Sequence, residues 1–205
     1  MLVMCVATVG GGMAHTGEEF ENPISGERSV VRLGSDDTDG EAVVADLFLR
    51  PGAGGPREHV HRYLHETFEV LGGRVGFRLN GQEESTGPGR KLVVEPGMVH
   101  DFWNAGEQEA HVLVEIRPGR RFEQMIQALW GMAAAGETDA RGAPKPLLRL
   151  AVVAKEFERE FQFVSPPRWL QKGLFSVLAP IGHARGYKAI DSRYLELARR
   201  RDHRR

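Results

Sequence analysis

From Glu41 to Arg117 the apolar residues of this chain fall in short runs that alternate with polar or small residues and stop at glycine or proline. A period of two turns one face of a strand towards a core and the other towards water. EAVVADLFLR is one such run, bounded by Gly40 and by the loop PGAGGP. FEVLGGRVGFRLNGQEE sets Phe68 and Val70 ahead of a Gly72-Gly73 turn, and Val75, Phe77 and Leu79 behind it. Asn80-Gly81 then suits a two-residue type I′ hairpin turn, because both central positions of that turn need positive φ. KLVVEPG and HVLVEIRPG supply two further strands, the second with Val112, Val114 and Ile116 on one face. Strands joined by turns and not by helices predict a sandwich or barrel and exclude a parallel α/β sheet. The 25 glycines among 205 residues fit a fold with that many turns.

After Pro118-Gly119 the period changes. Phe122, Met125, Ile126, Leu129 and Trp130 recur at three- and four-residue steps and predict an amphipathic helix. Leu147, Leu150, Ala151, Phe157 and Phe161 predict a second. Pro166-Pro167 opens a third, with Trp169, Leu170, Gly173, Leu174, Val177 and Leu178 on a stripe that Pro180 should end. Helices this short are marginal alone and need a surface to dock on. The expected surface is an outer face of the barrel or a dimer partner, with lipid as another candidate for the third stripe. The expected organisation is therefore an N-terminal leader and arm over residues 1–40, a β-barrel domain over 41–117, and a helical extension with a basic tail over 118–205.

The ends constrain localisation and partners. MLVMCVATVGGG is apolar but lacks a basic n-region, so a leader ahead of a natural start at Met13 is expected, not a signal peptide. Cys5 comes too early to follow a signal segment as a lipid anchor. No run of eighteen apolar residues exists to span a membrane, and a cytoplasmic protein is expected. A net charge of -1 argues against nucleic-acid binding by bulk electrostatics, and the arginines of RYLELARRRDHRR read as a solvated tail. One cysteine excludes an internal disulfide and a thiolate zinc cluster.

The chemistry concentrates in EHVHRYLHETFEVLGG and EPGMVHDFWN. His59 and His61 are two apart, so a strand points both imidazoles to one face. Glu66 has the opposite parity and rejoins that face only if residues 62 to 65 form a loop or bulge. HRYLH also permits a helical reading, with His61 and His65 one turn apart, which the β alternation after Phe68 opposes. His100 follows the Pro96-Gly97 turn, on a strand that must lie beside the first. Three neutral imidazoles and one carboxylate facing inward would bind a divalent transition metal, with Fe, Mn, Ni, Zn and Cu not distinguished. Buried without a metal, they would be costly unpaired polar groups.

In this order the residues resemble the cupin superfamily. His59, His61, Glu66 and Gly73 match its first motif, H-x-H-x4-E-x6-G. Gly89, Gly97, His100 and Asn104 match its second, G-x5-P-x-G-x2-H-x3-N. Ala53 stands where the first motif has its leading Gly, and Glu95 where the second has its first Pro. Both departures fall in turns and leave the ligand set whole. The resemblance implies an all-β fold, a small jelly-roll β-barrel with a C-terminal α-helical extension, and a metal held in the barrel mouth by His59, His61, Glu66 and His100.

Around that set, Phe48, Phe77 and Phe102 are the expected substrate-binding residues, with Val75 and Val114 as further lining candidates. His65 and Trp103 should face away. Arg57 and Arg78 are candidates for a carboxylate substrate. Asp36, Asp37 and Asp39 read as a solvated turn. The expected function is a metal-dependent enzyme, a dioxygenase or isomerase, acting on a small organic substrate. A non-catalytic small-molecule binding or sensor protein is the alternative, and an interaction protein recruiting a partner through its helices a third. No catalytic residue is assigned, because the candidates for proton transfer besides Glu66, His65 and Glu95, are not placed by the sequence. A homodimer is expected from exposed barrel edges and apolar helices. The metal ligands are expected to lie entirely outside the helical extension, so that a chain ending at Gly119 would still bind metal.

Overall fold

The computed structural model describes residues 13–199. The leader expected over residues 1–12 and the end of the basic tail, 200–205, lie outside them. Strands numbered in chain order form two antiparallel sheets. The larger runs β1 (Glu19–Asn22), β2 (Glu27–Leu33), β3 (Val43–Leu49), β10 (Ala110–Arg117), β5 (His65–Gly72) and β8 (Lys91–Val94). The smaller runs β11 (Gln162–Phe163), β4 (His59–Val60), β9 (Val99–Asn104), β6 (Val75–Leu79) and β7 (Gln82–Thr86). The sheets meet through aromatic side chains, with the Phe68 ring 5.5 Å from that of Phe77 and 5.2 Å from that of Phe102.

Alternation sets which residues face inward. Val31, Ala45, Val114 and Phe68 form one row across the larger sheet, and Val43, Ile116 and Glu66 another nearer its end. The expected face of β10 is buried at Val112, Val114 and Ile116. The expected hairpin joins β6 to β7, and Asn80 (φ 47°) and Gly81 (φ 82°) both take the positive φ that its turn needs. The stretch read as an N-terminal arm supplies β1 and β2, and β2 pairs along β3 from Glu27 opposite Leu49 to Leu33 opposite Val44.

Among the described residues four α-helices follow β10, with β11 between the second and third: α1 (Arg120–Ala134), α2 (Leu147–Glu156), α3 (Arg168–Ala184) and α4 (Ser192–Ala198). The docking of α1 corrects the expectation of an outer-face contact. Trp130 shares a core with Val31, Val114 and Ile116, and Phe122, Ile126 and Leu129 pack against it. Those strand residues lie on the face that carries Phe68, so α1 covers the inner side of the larger sheet where the smaller one leaves it open. Burying each such side chain contributes about 1.5–3 kcal/mol before entropy is counted.

The other side of α1 packs Met125, Ala128 and Met132 against Val152, Val153 and Phe157, and against Tyr194 of α4. Gly131 permits the contact with α4: a Cβ there would sit 2.1 Å from the Tyr194 carbonyl oxygen. Glu123 is buried on α1 and accepts hydrogen bonds from the backbone N–H of Ala14, from that of Ser35 (2.8 Å) and from Gln127 Nε2 (3.0 Å), which ties the segments before β1 and after β2 to the helix.

The third helix departs from its expectation twice. Pro180 lies inside α3 and does not end it. Pro180 and Ser176, whose carbonyl loses the i to i−4 bond, are both exposed, so the loss falls on the solvent side of the helix. The apolar stripe of α3 does not dock on the barrel: Trp169, Leu170, Leu174 and Val177 are exposed.

Candidate metal centre

The β4–β9 ladder brings the two sequence segments together by setting His59 opposite His100. Residues 62–64 bend between β4 and β5, which resets the parity and turns Glu66 to the same side as His59 and His61. All four side chains are buried. The ligand atoms of His59, His61 and His100 lie within 4.8 Å of one another. Glu66 completes the group, with Oε1 3.5 Å from His61 Nε2 and Oε2 2.8 Å from His100 Nε2.

Each imidazole is oriented from behind by a backbone carbonyl. His59 Nδ1 lies 3.3 Å from the oxygen of Arg57, His100 Nδ1 lies 3.2 Å from that of Met98, and His61 Nδ1 contacts that of Glu160. A carbonyl can only accept, so each Nδ1 carries the proton and each Nε2 of a neutral ring presents a lone pair. Those Nε2 atoms point at one another, 3.1 Å apart between His59 and His61. Burial holds the His59 imidazole well below its ordinary pKa, and the neighbouring His61 and His100 push it the same way. Burial also lowers His61, against the pull of Glu66. Burial alone would raise Glu66, but His61 and His100 together bring it below the ordinary carboxylate value. His100 Nε2 and Glu66 Oε2 are buried with no hydrogen-bond partner, despite their closeness. Unprotonated nitrogens and a carboxylate oxygen converging in a buried site suit a cation, and the three histidines could bind a metal.

Residues 160–163 of the helical extension form part of this site. β11 pairs with β4, placing Phe163 opposite His59, and the Phe161 ring stacks on that of His59 at 4.9 Å and 19°. Phe122 of α1 meets the His61 ring edge-on at 5.9 Å. The four donor side chains do lie outside the extension, but the backbone partner of His61 and the ring covering His59 lie within it. The extension therefore contributes a backbone partner and a ring to the surroundings of the cluster. The signal was weak, since a two-residue strand has no readable period and Phe161 read as part of a helix.

A cavity of about 1070 Å³ adjoins the four side chains. Phe102 and Val114 line it. Phe48 does not: Leu47 and Leu49 take the inward positions of β3, and Phe48 stacks on His111 (4.4 Å) on the opposite face beneath Arg28. Phe77 and Val75 are buried in the core, Phe77 against Phe68, and neither lines the cavity. Trp103 lies against the Gly76 backbone and also borders the cavity. His65 faces away, 2.9 Å from Glu95 in an exposed pair. Arg57 lies at the cavity wall, whereas Arg78 is held by Glu83 (2.6 Å) and Asp101 (2.8 Å). Asp37 accepts from the Gly34 N–H and Asp36 pairs with Arg120, so the acidic turn is structural.

Sequence reasoning missed Glu27. It faces the cavity from β2, at the opposite end of the larger sheet from Glu66, and accepts from Ser25 Oγ at 2.5 Å. Burial pushes its pKa up to about 7, against the lowering effect of that hydrogen bond.

These features define a double-sheet barrel with a cluster of three histidines and a glutamate at its mouth. The family profile of the cupin domain matches residues 47–116, and this part of the chain is a cupin domain. Comparison with curated proteins gave no match. Among solved structures, the chain is similar to a cupin-superfamily sugar phosphate isomerase from Silicibacter pomeroyi, at 24% identity over 46% of this chain and 60% of that one, with a TM-score of 0.42. It is similar to a predicted oxalate decarboxylase from Thermotoga maritima, at 24% identity over 50% of this chain and 91% of that one, with a TM-score of 0.44. An RmlC-like cupin from Shewanella frigidimarina is 18% identical over 53% of this chain and 95% of that one, with a TM-score of 0.44.

Proposed function

We propose that His59, His61, Glu66 and His100 hold a divalent transition metal, and that the protein is a metal-dependent enzyme acting on a small organic substrate in the adjoining cavity. One observation carries this reading. Each imidazole gives its Nδ1–H to a backbone carbonyl, which leaves the Nε2 lone pairs converging on one buried point beside a carboxylate. A bound metal would supply Lewis-acid polarisation, or redox chemistry with oxygen as in a dioxygenase. The chain's own residues do the rest. Glu66 supplies the one negative charge among the four and is the carboxylate among them that could serve as an acid–base group. Phe161 and Phe122 keep water from the imidazoles, and Phe102 and Val114 give the substrate an apolar wall.

A non-catalytic binding or sensor role is the second reading. The position of His65 and Glu95 favours it, since these candidates for proton transfer pair with each other on the surface.

The test is metal analysis of purified protein beside its His100→Ala and Glu66→Gln variants, followed by oxygen uptake with candidate substrates. His100→Ala should lose most of its metal. Glu66→Gln should keep its fold and bind metal more weakly, having lost the charge. A full metal complement in His100→Ala would overturn the assignment. Metal retention without turnover of any substrate would favour the binding role.

A further inference from the structure

The helix α3 is apolar on the side that faces water. Its buried side is made by Gln171, Ala179 and Gly182, with Gly182 set so close to α2 that a Cβ would lie 2.6 Å from Val152 Cγ2. On the opposite side Trp169 is 75% exposed, Val177 64%, Ile181 45%, Leu170 43% and Leu174 41%. At 3.6 residues per turn these five positions fall within an arc of about 140°. The other residues of that arc are Gly173, Pro180 and Ala184, so no polar side chain interrupts it. Soluble surfaces rarely present a contiguous patch of this kind without a partner.

The charges around the patch indicate which partner. Residues 161–190 contain no aspartate or glutamate, while Arg168, Lys172, Arg185 and Lys188 lie within or just beyond α3. None of these four cations has an ion-pair partner among the described residues. A face-to-face pairing of two copies of α3 would bring the cations of both copies together with no carboxylate on either helix to meet them. An anionic surface suits both features, taking the apolar arc into its acyl boundary and the cations among its headgroups. No helix of the described residues is long and apolar enough to cross a membrane, so α3 would lie in the plane of the interface.

We propose that α3 docks the protein on an anionic lipid surface. Trp169, Leu170, Leu174, Val177 and Ile181 enter the headgroup boundary, and Arg185 and Lys188 at the C-terminal end of the helix pair with the headgroups.

The experiment uses the full chain with vesicles of phosphatidylcholine alone or mixed with phosphatidylserine. Sedimentation with the mixed vesicles is expected, with much less on phosphatidylcholine alone, less at high salt, and a blue shift of tryptophan emission on binding. Trp169→Phe should keep binding but lose most of that shift. Val177→Asp and the double variant Arg185→Glu, Lys188→Glu should each weaken binding by at least about ten-fold with unchanged thermal stability. If Val177→Asp does not fold, Trp169→Ser, at a more exposed position, takes its place. Failure of the parent chain to bind mixed vesicles, or unchanged binding by the variants, would overturn the proposal. So would a parent dimer that Val177→Asp converts to monomer, because the face would then belong to a second copy. None of these readouts depends on metal, so they stand apart from the metal-centre reading.

Discussion

Two of the three clustered histidines lean on neighbours from the helical extension. The Phe161 ring lies flat on His59, and the Glu160 carbonyl behind His61 belongs to the preceding residue. Phe161→Ala should therefore lower metal affinity by about ten-fold while every donor remains in place, in line with other outer partners of metal ligands. Calorimetric titration of a divalent metal into the stripped protein checks this, and an unchanged affinity would reduce Phe161 to a core contact. At the other end of the sheet, Glu27 makes a prediction about pH. Its folded pKa of about 7 lies above its ordinary 4.5, so the folded state holds the proton more tightly than the unfolded one. Stability from this group is fully present below pH 4.5 and declines as pH rises through about 7. Ionisation at higher pH costs on the order of 3 kcal/mol. Glu27→Gln removes the ionisation and keeps an acceptor for Ser25. Denaturant unfolding at pH 5 and pH 8 should show parent and variant diverging at pH 8, with the variant the more stable.

The same dependence on close neighbours appears between elements, where α1 and α4 touch through Gly131. Replacing a helix-interior glycine by alanine usually stabilises by about 1 kcal/mol. Here the added methyl group would overlap the Tyr194 carbonyl, so Gly131→Ala should destabilise and loosen α4. Thermal melting gives the sign, and a stabilised variant would show that α4 moves away at little cost. The sequence made some of these elements legible and concealed others for physical reasons. The hairpin at Asn80-Gly81 and the inward face of β10 were readable because turn chemistry and alternation agree there. The convergence of His59, His61, Glu66 and His100 was readable because a bend at residues 62–64 is what the spacing of His61 and Glu66 requires. β2 was concealed because Glu27 and Ser29 take inward positions, which breaks the apolar alternation. Phe48 misled because VVADLFL carries apolar residues on both parities, so period alone does not choose a face. α4 was hidden in a run of arginines, although Tyr194, Leu195 and Ala198 are buried.

For the molecule as a whole, the cupin barrel and its helices are not separable layers. α1 fills the inner side of the larger sheet, and the strand after α2 returns to the barrel mouth. The hydrogen bond from His61 to the Glu160 carbonyl spans 99 positions of sequence. This gives the site an order of construction in time. Every donor has been synthesised by Asn104, yet the segment that covers the donors is not complete until Phe163. At the usual pace of translation roughly 3–12 s pass between the two. During that interval the imidazoles stand at an open rim, reachable by any solute. Once β11 pairs beside β4, entry on that side requires the cover to lift. A nascent chain thus presents these side chains before their cover exists, and a finished one carries Phe161 and β11 beside them.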